Sequence, residues 1–199
     1  MFLKKCIDLN KFNENEILLL ARFNIALKIV ELSTCLSHAI SNAPNISEYS
    51  YKLALCLECL GEYEQSVTYI NKAISLVPSQ TVYQIVKARI LNKMGKNNEA
   101  LELLEKIDEN KHSSYDLFGL KANIYSNFTD WENAIKYNTQ QHIIYPFAAS
   151  PLIFRGHAKI WNKNLEGAKE DFNLAETFIM RSYSEKGYLL FGKARILFY

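Results

Sequence analysis

The stretch Ser47–Gln80, SEYSYKLALCLECLGEYEQSVTYINKAISLVPSQ, decides the fold of this chain. Its first half places apolar residues at a helical spacing, and Gly61 then interrupts the pattern where a helix end favours a residue that tolerates positive φ. A second apolar stripe follows and stops at Pro78, which cannot continue a helix because it lacks a backbone donor. The stretch therefore predicts two helices joined by a tight turn.

Small residues of this stretch recur every 34 residues along the chain, and positions 34 residues apart are called a column. Ala54 is followed in its column by Ala88, Ala122 and Gly156, and Ser66 is followed by Ala100, Ala134 and Ala168. Small residues are needed in these columns because helices that cross at about 8 to 10 Å leave no room for large side chains. Repetition at a fixed period predicts stacked repeats, each of which buries its faces against its neighbours.

This pattern resembles the tetratricopeptide repeat, and the matching residues are Ala54, Gly61, Ser66, Ala73 and Pro78. The resemblance implies an all-α fold, a right-handed superhelical α-solenoid of stacked helix–turn–helix repeats. It divides the chain into five units, 13–46, 47–80, 81–114, 115–148 and 149–182, of which the first is degenerate. Residues 1–12 are expected to form a short helix or arm, and residues 183–199 a C-terminal closing helix.

Composition and charge narrow the class of protein further. With 49% hydrophobic and 22% charged residues, the chain has the composition of a folded protein and not of a disordered one. A net charge of +2 is too nearly balanced for a general nucleic-acid binder. The N-terminal apolar run is broken by Asp8 and Asn10, and no segment reaches the roughly 18 to 20 apolar residues of a membrane span. We therefore expect a cytoplasmic protein with free cysteines.

The chain offers little that could support catalysis or metal binding. Cys56 and Cys59 form a CxxC, but they fall inside a predicted helix and no second ligand pair exists. The four histidines are scattered, and the chain contains neither a nucleophile motif nor a glycine-rich phosphate loop. We expect no enzymatic activity, no cofactor and no metal.

The resemblance instead implies a binding surface on the concave wall, which the first helix of each unit lines. Carried across, the groove residues are Tyr51, Leu55, Ile85, Arg89, Asn92, Lys93, Asn123, Asn127, Ile153, His157 and Trp161. Basic residues concentrate in the first helices of the third and fifth units, for example Arg89, Lys93, Arg155 and Lys159, which predicts a locally positive wall. The groove would bind a protein segment, either a peptide or a partner helix, with acidic side chains or a free carboxylate.

Three other functions remain open beside this adaptor or scaffold function. The chain could be a secretion or assembly chaperone that holds a partner protein, or the partner-sensing part of a regulator. A related helical repeat binds single-stranded RNA, but the near-neutral charge disfavours that function here.

The C-terminal helix carries two apolar stripes. We expect the first to pack on the fifth unit; it comprises Gly187, Leu190, Phe191, Ala194, Leu197 and Phe198. The second would then be exposed; it comprises Leu189, Gly192, Ile196 and Tyr199. Because exposed apolar patches usually mark interfaces, this second stripe predicts a homodimer or a contact with a further partner.

Overall fold

A computed structural model describes residues 14–178 and 183–198 of the chain. Within these ranges the regular structure is helical, without strands. The helices are α1 (Glu14–Asn42), α2 (Ser47–Leu60), α3 (Tyr63–Leu76), α4 (Thr81–Lys93), α5 (Asn97–Glu105), α6 (Tyr115–Asn127), α7 (Trp131–Ile144), α8 (Ala149–Trp161), α9 (Leu165–Phe178) and α10 (Tyr183–Ile196). The all-α prediction is confirmed.

The helices follow the period seen in the sequence. Helices α2, α4, α6, α8 and α10 begin at residues 47, 81, 115, 149 and 183, and helices α3, α5, α7 and α9 begin at residues 63, 97, 131 and 165. Each series advances by one repeat length, so each hairpin consists of a first and a second helix in constant register. Helix α10 holds the register of a first helix.

The turn between the two helices of each hairpin has a left-handed residue in the same column. Gly61 has φ 83° and Gly95 has φ 78°, while Thr129 has φ 59° and Lys163 has φ 61°. Glycine adopts this conformation without steric cost, whereas a residue with a Cβ is strained in it. The backbone geometry of the turn is therefore kept even where glycine is absent.

The chain before Ser47 departs from the expected repeat. Residues 13–46 were expected to form a degenerate hairpin, but Glu14–Asn42 is one continuous helix. Leu27 occupies the turn column where the later units have Gly61 and Gly95, so no residue suited to positive φ ends the helix there. The arm expected over residues 1–12 lies outside the described residues.

The chain consists of two compact units, Met1–Ile90 and Leu91–Tyr199. In the first unit, α1 packs on α2 through a core that includes Leu36, Ile40 and Leu53. In the second unit, α8, α9 and α10 share a core cluster around the fully buried ring of Phe172. The small columns lie at the helix contacts, because Ala54, Ala100, Ala134 and Ala168 are all fully buried.

Candidate functional site

In the first unit, the groove residues of α2 and α4 are only partly available to a partner. Tyr51 and Leu55 are half-buried, and the ring of Tyr51 lies 4.9 Å from the ring of Tyr83, centroid to centroid. Ile85, expected as an apolar anchor, is 7% exposed and belongs to the core. The expectation that Ile85 is an exposed anchor is wrong. Burying its apolar side chain in the core stabilises the fold, whereas exposing the side chain in an empty groove does not.

Arg89 forms an ion pair with a carboxylate of its own unit. Its Nε donates to Glu58 Oε1 and its Nη2 to Glu58 Oε2, both at 2.8 Å, a bidentate pair. The Glu58 side chain is 4% exposed. Because a buried carboxylate needs a cation and hydrogen bonds, Arg89 serves the packing of α4 on α2.

In the second unit, the four groove asparagine and lysine residues differ in availability. Asn92 donates through Nδ2 to Oδ1 of Asn97 at 2.8 Å, which ties the end of α4 to the start of α5. Lys93, Asn123 and Asn127 are exposed. The two asparagines on α6 therefore present side-chain amides to solvent.

The cations of α8 do not form a positive wall. Arg155 donates through Nε and Nη2 to the carboxylate of Asp171 on α9, at 2.9 and 2.6 Å, and Lys159 Nζ lies 2.9 Å from the same carboxylate. Asp171 is buried and offsets one of the two positive charges, and the side chains of Arg155 and Lys159 are themselves only 14% and 17% exposed. The positive wall expected from the sequence is corrected here, because Arg155 and Lys159 pair with Asp171 on the second helix α9 and Arg89 pairs with Glu58 on the first helix α2.

Ile153, the other expected anchor, is 1% exposed and packs in the same core cluster as Leu152 and Phe172. The expectation fails for the same reason as that for Ile85. His157 is half-buried, and Trp161 is 44% exposed at the end of α8. Only the C-terminal half of α8 therefore offers the groove residues expected on it.

Aromatic rings from α8 and α10 come together around these two residues. We call the set the aromatic surface; its members are Phe154, His157 and Trp161 on α8, and Tyr188, Phe191 and Arg195 on α10. Phe154 is 48%, Tyr188 55% and Phe191 61% exposed. Ring centroids of Phe154 and Tyr188 lie 6.0 Å apart, as do those of His157 and Phe191.

Two further contacts order the far end of the aromatic surface. The guanidinium carbon of Arg195 lies 3.8 Å from the centroid of the Trp161 ring, a cation–π contact. Trp161 also stacks on Trp131, with 5.7 Å between ring centroids and 11° between ring planes. The exposed rings of α8 and α10 are thus held in place before any partner arrives.

His157 joins the two helices by a hydrogen bond. Its Nε2 donates to the carbonyl oxygen of Tyr188 at 3.0 Å, so the neutral ring carries its proton on Nε2. Burial lowers the pKa of His157 and is the largest effect on it. The hydrogen bond to Tyr188 raises this pKa and the charge of Arg195 lowers it, each by a smaller amount than burial. Neutral imidazole is therefore the form that the folded second unit favours.

Four members of the aromatic surface were missed by the sequence analysis: Phe154, Tyr188, Phe191 and Arg195. The repeat register could have revealed two of them. Asn123, His157 and Phe191 occupy the same position in successive repeats, and so do Asn127, Trp161 and Arg195. Extending the groove columns into α10 would have found two of the four.

Helix α10 packs through the opposite face from the one expected. Leu189 is 3% exposed, Gly192 is buried and Ile196 packs on the same core cluster. Leu190, Phe191, Leu197 and Phe198, expected to be packed, are 61% to 89% exposed. The interface expected at Leu189, Gly192 and Ile196 is therefore wrong; Tyr199 lies outside the described residues.

The repeat register is compatible with this orientation, and the side of Leu190 stays uncovered because α10 is the last helix that the structure describes. Leu189 falls in the column of Leu53 and Lys121, which are 2% and 3% exposed, and Gly192 in that of Ile124, which is fully buried. A Cβ added to Gly192 would lie less than 3.0 Å from the ring of Phe172. Glycine at this position lets α10 approach α9 closely.

The part of the chain that the structure describes shows neither a cluster of metal-binding side chains nor a helix that could span a membrane. No group of three or more His, Cys, Asp or Glu side chains is placed there to hold a metal ion. Of the CxxC, Cys56 is buried and Cys59 exposed; burial is the main cause of the raised pKa of the Cys56 thiol. Among helices α1 to α10, none is long and apolar enough to cross a membrane.

Comparison with known proteins agrees with the geometry. The tetratricopeptide repeat family matches residues 47–80. No curated protein matches the chain. Among solved structures, the fold is similar to that of MamA from Desulfovibrio magneticus RS-1, residues 41 to the end, with a TM-score of 0.68 and 20% identity over 78% of this chain and 91% of that one.

Two other solved structures are similar. YrrB, described as a tetratricopeptide repeat protein with an unusual peptide-binding site, has a TM-score of 0.65 and 16% identity over 86% of this chain and 88% of its own. A chain in the Cut9–Hcn1 hetero-tetramer of APC/C has a TM-score of 0.73 and 16% identity over 84% of this chain and 33% of its own. At these identities the likeness concerns the fold alone.

The hairpins, their constant register and their small contact columns define a helical repeat protein. The match at residues 47–80 gives the type of this repeat: the segment is a tetratricopeptide repeat. Tetratricopeptide repeat domains are protein-interaction modules.

Proposed function

We propose that this chain is a non-enzymatic interaction module that binds a peptide segment or partner helix on the aromatic surface of its second unit. The observation that carries the proposal is the cluster of four exposed rings, Phe154, Trp161, Tyr188 and Phe191, on two adjacent first helices. Exposed aromatic clusters of this kind are typical of binding surfaces, because large rigid rings bury much area at low entropic cost.

The chemistry of the surface indicates the kind of segment. Apolar side chains of the partner would pack among the rings, and the exposed amides of Asn123 and Asn127 on α6 can bond peptide backbone groups. The guanidinium carbon of Arg195 lies 3.8 Å from the centroid of the Trp161 ring, and its N–H groups are suited to a carboxylate of the partner. The favoured partner is therefore a segment with aromatic or aliphatic residues beside an acidic one.

Two comparisons support binding without identifying the partner. YrrB is described as having a peptide-binding site, and Cut9 forms a hetero-tetramer with Hcn1. No described residue favours the chaperone or regulator functions over simple peptide binding. We also propose a cytoplasmic location, since Cys35, Cys56 and Cys59 are free thiols suited to a reducing compartment.

Selection of peptides from a displayed random library on the full chain tests the proposal. Affinities of the selected peptides would then be measured with the parent and with the double variant Phe154→Ala, Phe191→Ala. We expect the double variant to bind about tenfold or more weakly, since central aromatic residues dominate binding energy. Phe147→Ala, which removes an 80% exposed ring outside the aromatic surface, is the matched control. Equal affinities for parent and double variant would refute the proposed site.

A further inference from the structure

Helix α10 carries a second exposed surface beside the aromatic one. We call it the apolar stripe; it comprises Gly187, Leu190, Ala194, Leu197 and Phe198. Leu190, Leu197 and Phe198 are 62%, 84% and 89% exposed, and a Cβ added to Gly187 would meet no atom within 4 Å. The N–H groups of Leu197 and Phe198 bond back to Ala194 and Arg195, so the stripe extends the helix by a turn.

The repeat register shows what this face does in the earlier hairpins. Leu190 falls in the column of Ala54 and Gly156, and that column faces the second helix of its own hairpin: Ser66 Oγ on α3 donates to the Ala54 carbonyl at 2.7 Å, and the Phe172 ring on α9 packs against Gly156. The apolar stripe is therefore the side on which a first helix is normally covered.

The size of Leu190 restricts what can cover the stripe. A second helix in the ordinary hairpin position requires alanine or glycine in this column, because the two backbones approach closely there. A leucine in this column holds a covering helix further away, at the spacing of a coiled coil, where large side chains fit against small ones.

The stripe alternates small and large residues in the order Gly187, Leu190, Ala194, Leu197. If a second copy of α10 lies antiparallel on the exposed side, about a two-fold axis level with residue 192, Leu190 of each copy faces Ala194 of the other. Gly187 then faces Leu197 in the same way. We propose that the apolar stripe binds the same stripe of a second copy of this chain, in an antiparallel and isologous helix pair.

Charges on the flank of the stripe are compatible with this pairing. Lys186 and Lys193 lie two turns apart on the same side of α10, and Lys193 Nζ bonds Glu176 at 2.7 Å. About an axis level with residue 192, the Lys193 side chains of the two copies lie on the same flank and close together, and each is paired with its own Glu176, whose side chain is 59% exposed. The ion pair offsets the lysine charge on each copy, so this flank tolerates the pairing.

The size of the interface sets the expected strength. One helix from each copy buries less than the about 800 Å² per partner that is typical of stable complexes. We therefore expect a reversible dimer with a Kd in the micromolar range, measurable by sedimentation equilibrium of the full chain.

A size-swap series tests the pairing register. Leu190→Ala places alanine opposite alanine, and Ala194→Leu places leucine opposite leucine, so each single variant should weaken dimerisation about tenfold. The double variant Leu190→Ala, Ala194→Leu restores a leucine opposite an alanine and should return the Kd to within about threefold of the parent. Leu174→Ala, on the 42% exposed leucine of α9, is the control and should change nothing.

A parent chain that stays monomeric throughout the micromolar range would overturn the proposal. The proposal would also be overturned if the double variant Leu190→Glu, Leu197→Glu still formed the dimer. It would equally be overturned if the double variant Leu190→Ala, Ala194→Leu dimerised more weakly than both single variants. The stripe shares no residue with the aromatic surface, so failure of dimerisation leaves peptide binding intact and the two proposals can fail separately.

Discussion

The guanidinium of Arg195 lies 3.8 Å above the ring of Trp161, which precedes it by one repeat length in the sequence. The two residues occupy equivalent positions on successive first helices, α8 and α10. Their contact ties α10 to the repeat before it and fixes one end of the aromatic surface. Together with the bond from His157 to Tyr188, it makes the docking of α10 a condition for the proposed binding site.

The docking of α10 requires glycine on both sides of Phe172. A Cβ at Gly156 on α8 or at Gly192 on α10 would lie less than 3.0 Å from the Phe172 ring. Gly192→Ala and Gly156→Ala should each cost about 1 to 3 kcal/mol in free energy of unfolding, because the ring is fully buried and cannot move aside freely. Urea titration would measure both values.

Gly187→Ala is the matched control for these variants, since its Cβ would enter open space on the same helix as Gly192. It should stabilise the chain by about 0.5 to 1 kcal/mol through helix propensity. If Gly192→Ala were as stabilising as Gly187→Ala, the close approach of α10 to Phe172 would be wrong.

The hairpin turns without glycine store strain that a substitution can release. Thr129 and Lys163 adopt φ of 59° and 61°. Thr129→Gly and Lys163→Gly should each raise the free energy of unfolding by about 1 kcal/mol, because glycine has no Cβ clash in the left-handed region. Lys169→Gly, at an exposed position inside α9, should lower it by about 1 kcal/mol. A loss of stability at position 163 would contradict the assigned turn conformation.

The pair of Arg89 and Glu58 should matter for stability in the first unit. Arg89→Met removes two hydrogen bonds from a carboxylate that is 4% exposed. We expect a cost of about 1 to 3 kcal/mol, less than for a fully buried pair because Arg89 is partly solvated. Lys52→Met, which breaks an exposed pair with Glu48, should cost under about 0.5 kcal/mol by thermal melting. Equal effects of the two variants would argue against a structural role for Arg89.

The stability of the second unit should depend on pH through His157. The pKa of His157 in the folded state lies below the ordinary histidine value of about 6.5. As the pH falls below this ordinary value, the unfolded chain therefore binds more protons than the folded chain. The contribution of neutral His157 to the free energy of unfolding is present above the ordinary pKa, and it is lost as the pH falls through the pKa of the folded state. The pKa of His142 is also lowered, mainly by burial, so it adds in the same direction.

His157→Gln keeps a donor for the carbonyl of Tyr188 and removes the titration. Urea midpoints of this variant should fall less than those of the parent when pH is lowered from about 7.5 to about 5.5. An identical fall in both proteins would assign the pH dependence to other groups.

The sequence predicted most of the hairpins because their signals are local and repeat. Gly61, Gly95 and the small columns mark turns and close helix contacts directly. The continuous helix α1 was missed because Leu27 stands where a turn residue would be, and nothing else ends the helix. The orientation of α10 was missed because both of its faces are apolar, so hydrophobicity alone does not select the packed one. The register does not select it either, because Leu190 shares the buried column of Ala54. The packed face is the one that meets α8 and α9, and α10 is the last helix that the structure describes.

The binding site was harder to predict than the fold. Which cations remain available depends on long-range pairs such as that of Arg155 with Asp171, and these form only when the hairpin closes. Ile85 and Ile153 were assigned to the groove by column, although apolar residues there are taken into the core. The aromatic surface arises where α10 continues the columns of α6 and α8.

Backbone amide chemical shifts of the isotope-labelled full chain, titrated with a selected peptide, test the proposed binding surface most directly. The account predicts that the shift changes concentrate at residues 154–161 of α8 and 188–195 of α10, with smaller changes near Asn123 and Asn127. They should disappear in the Phe154→Ala, Phe191→Ala variant. Shift changes confined to α7 and α9, or to the first unit, would contradict it.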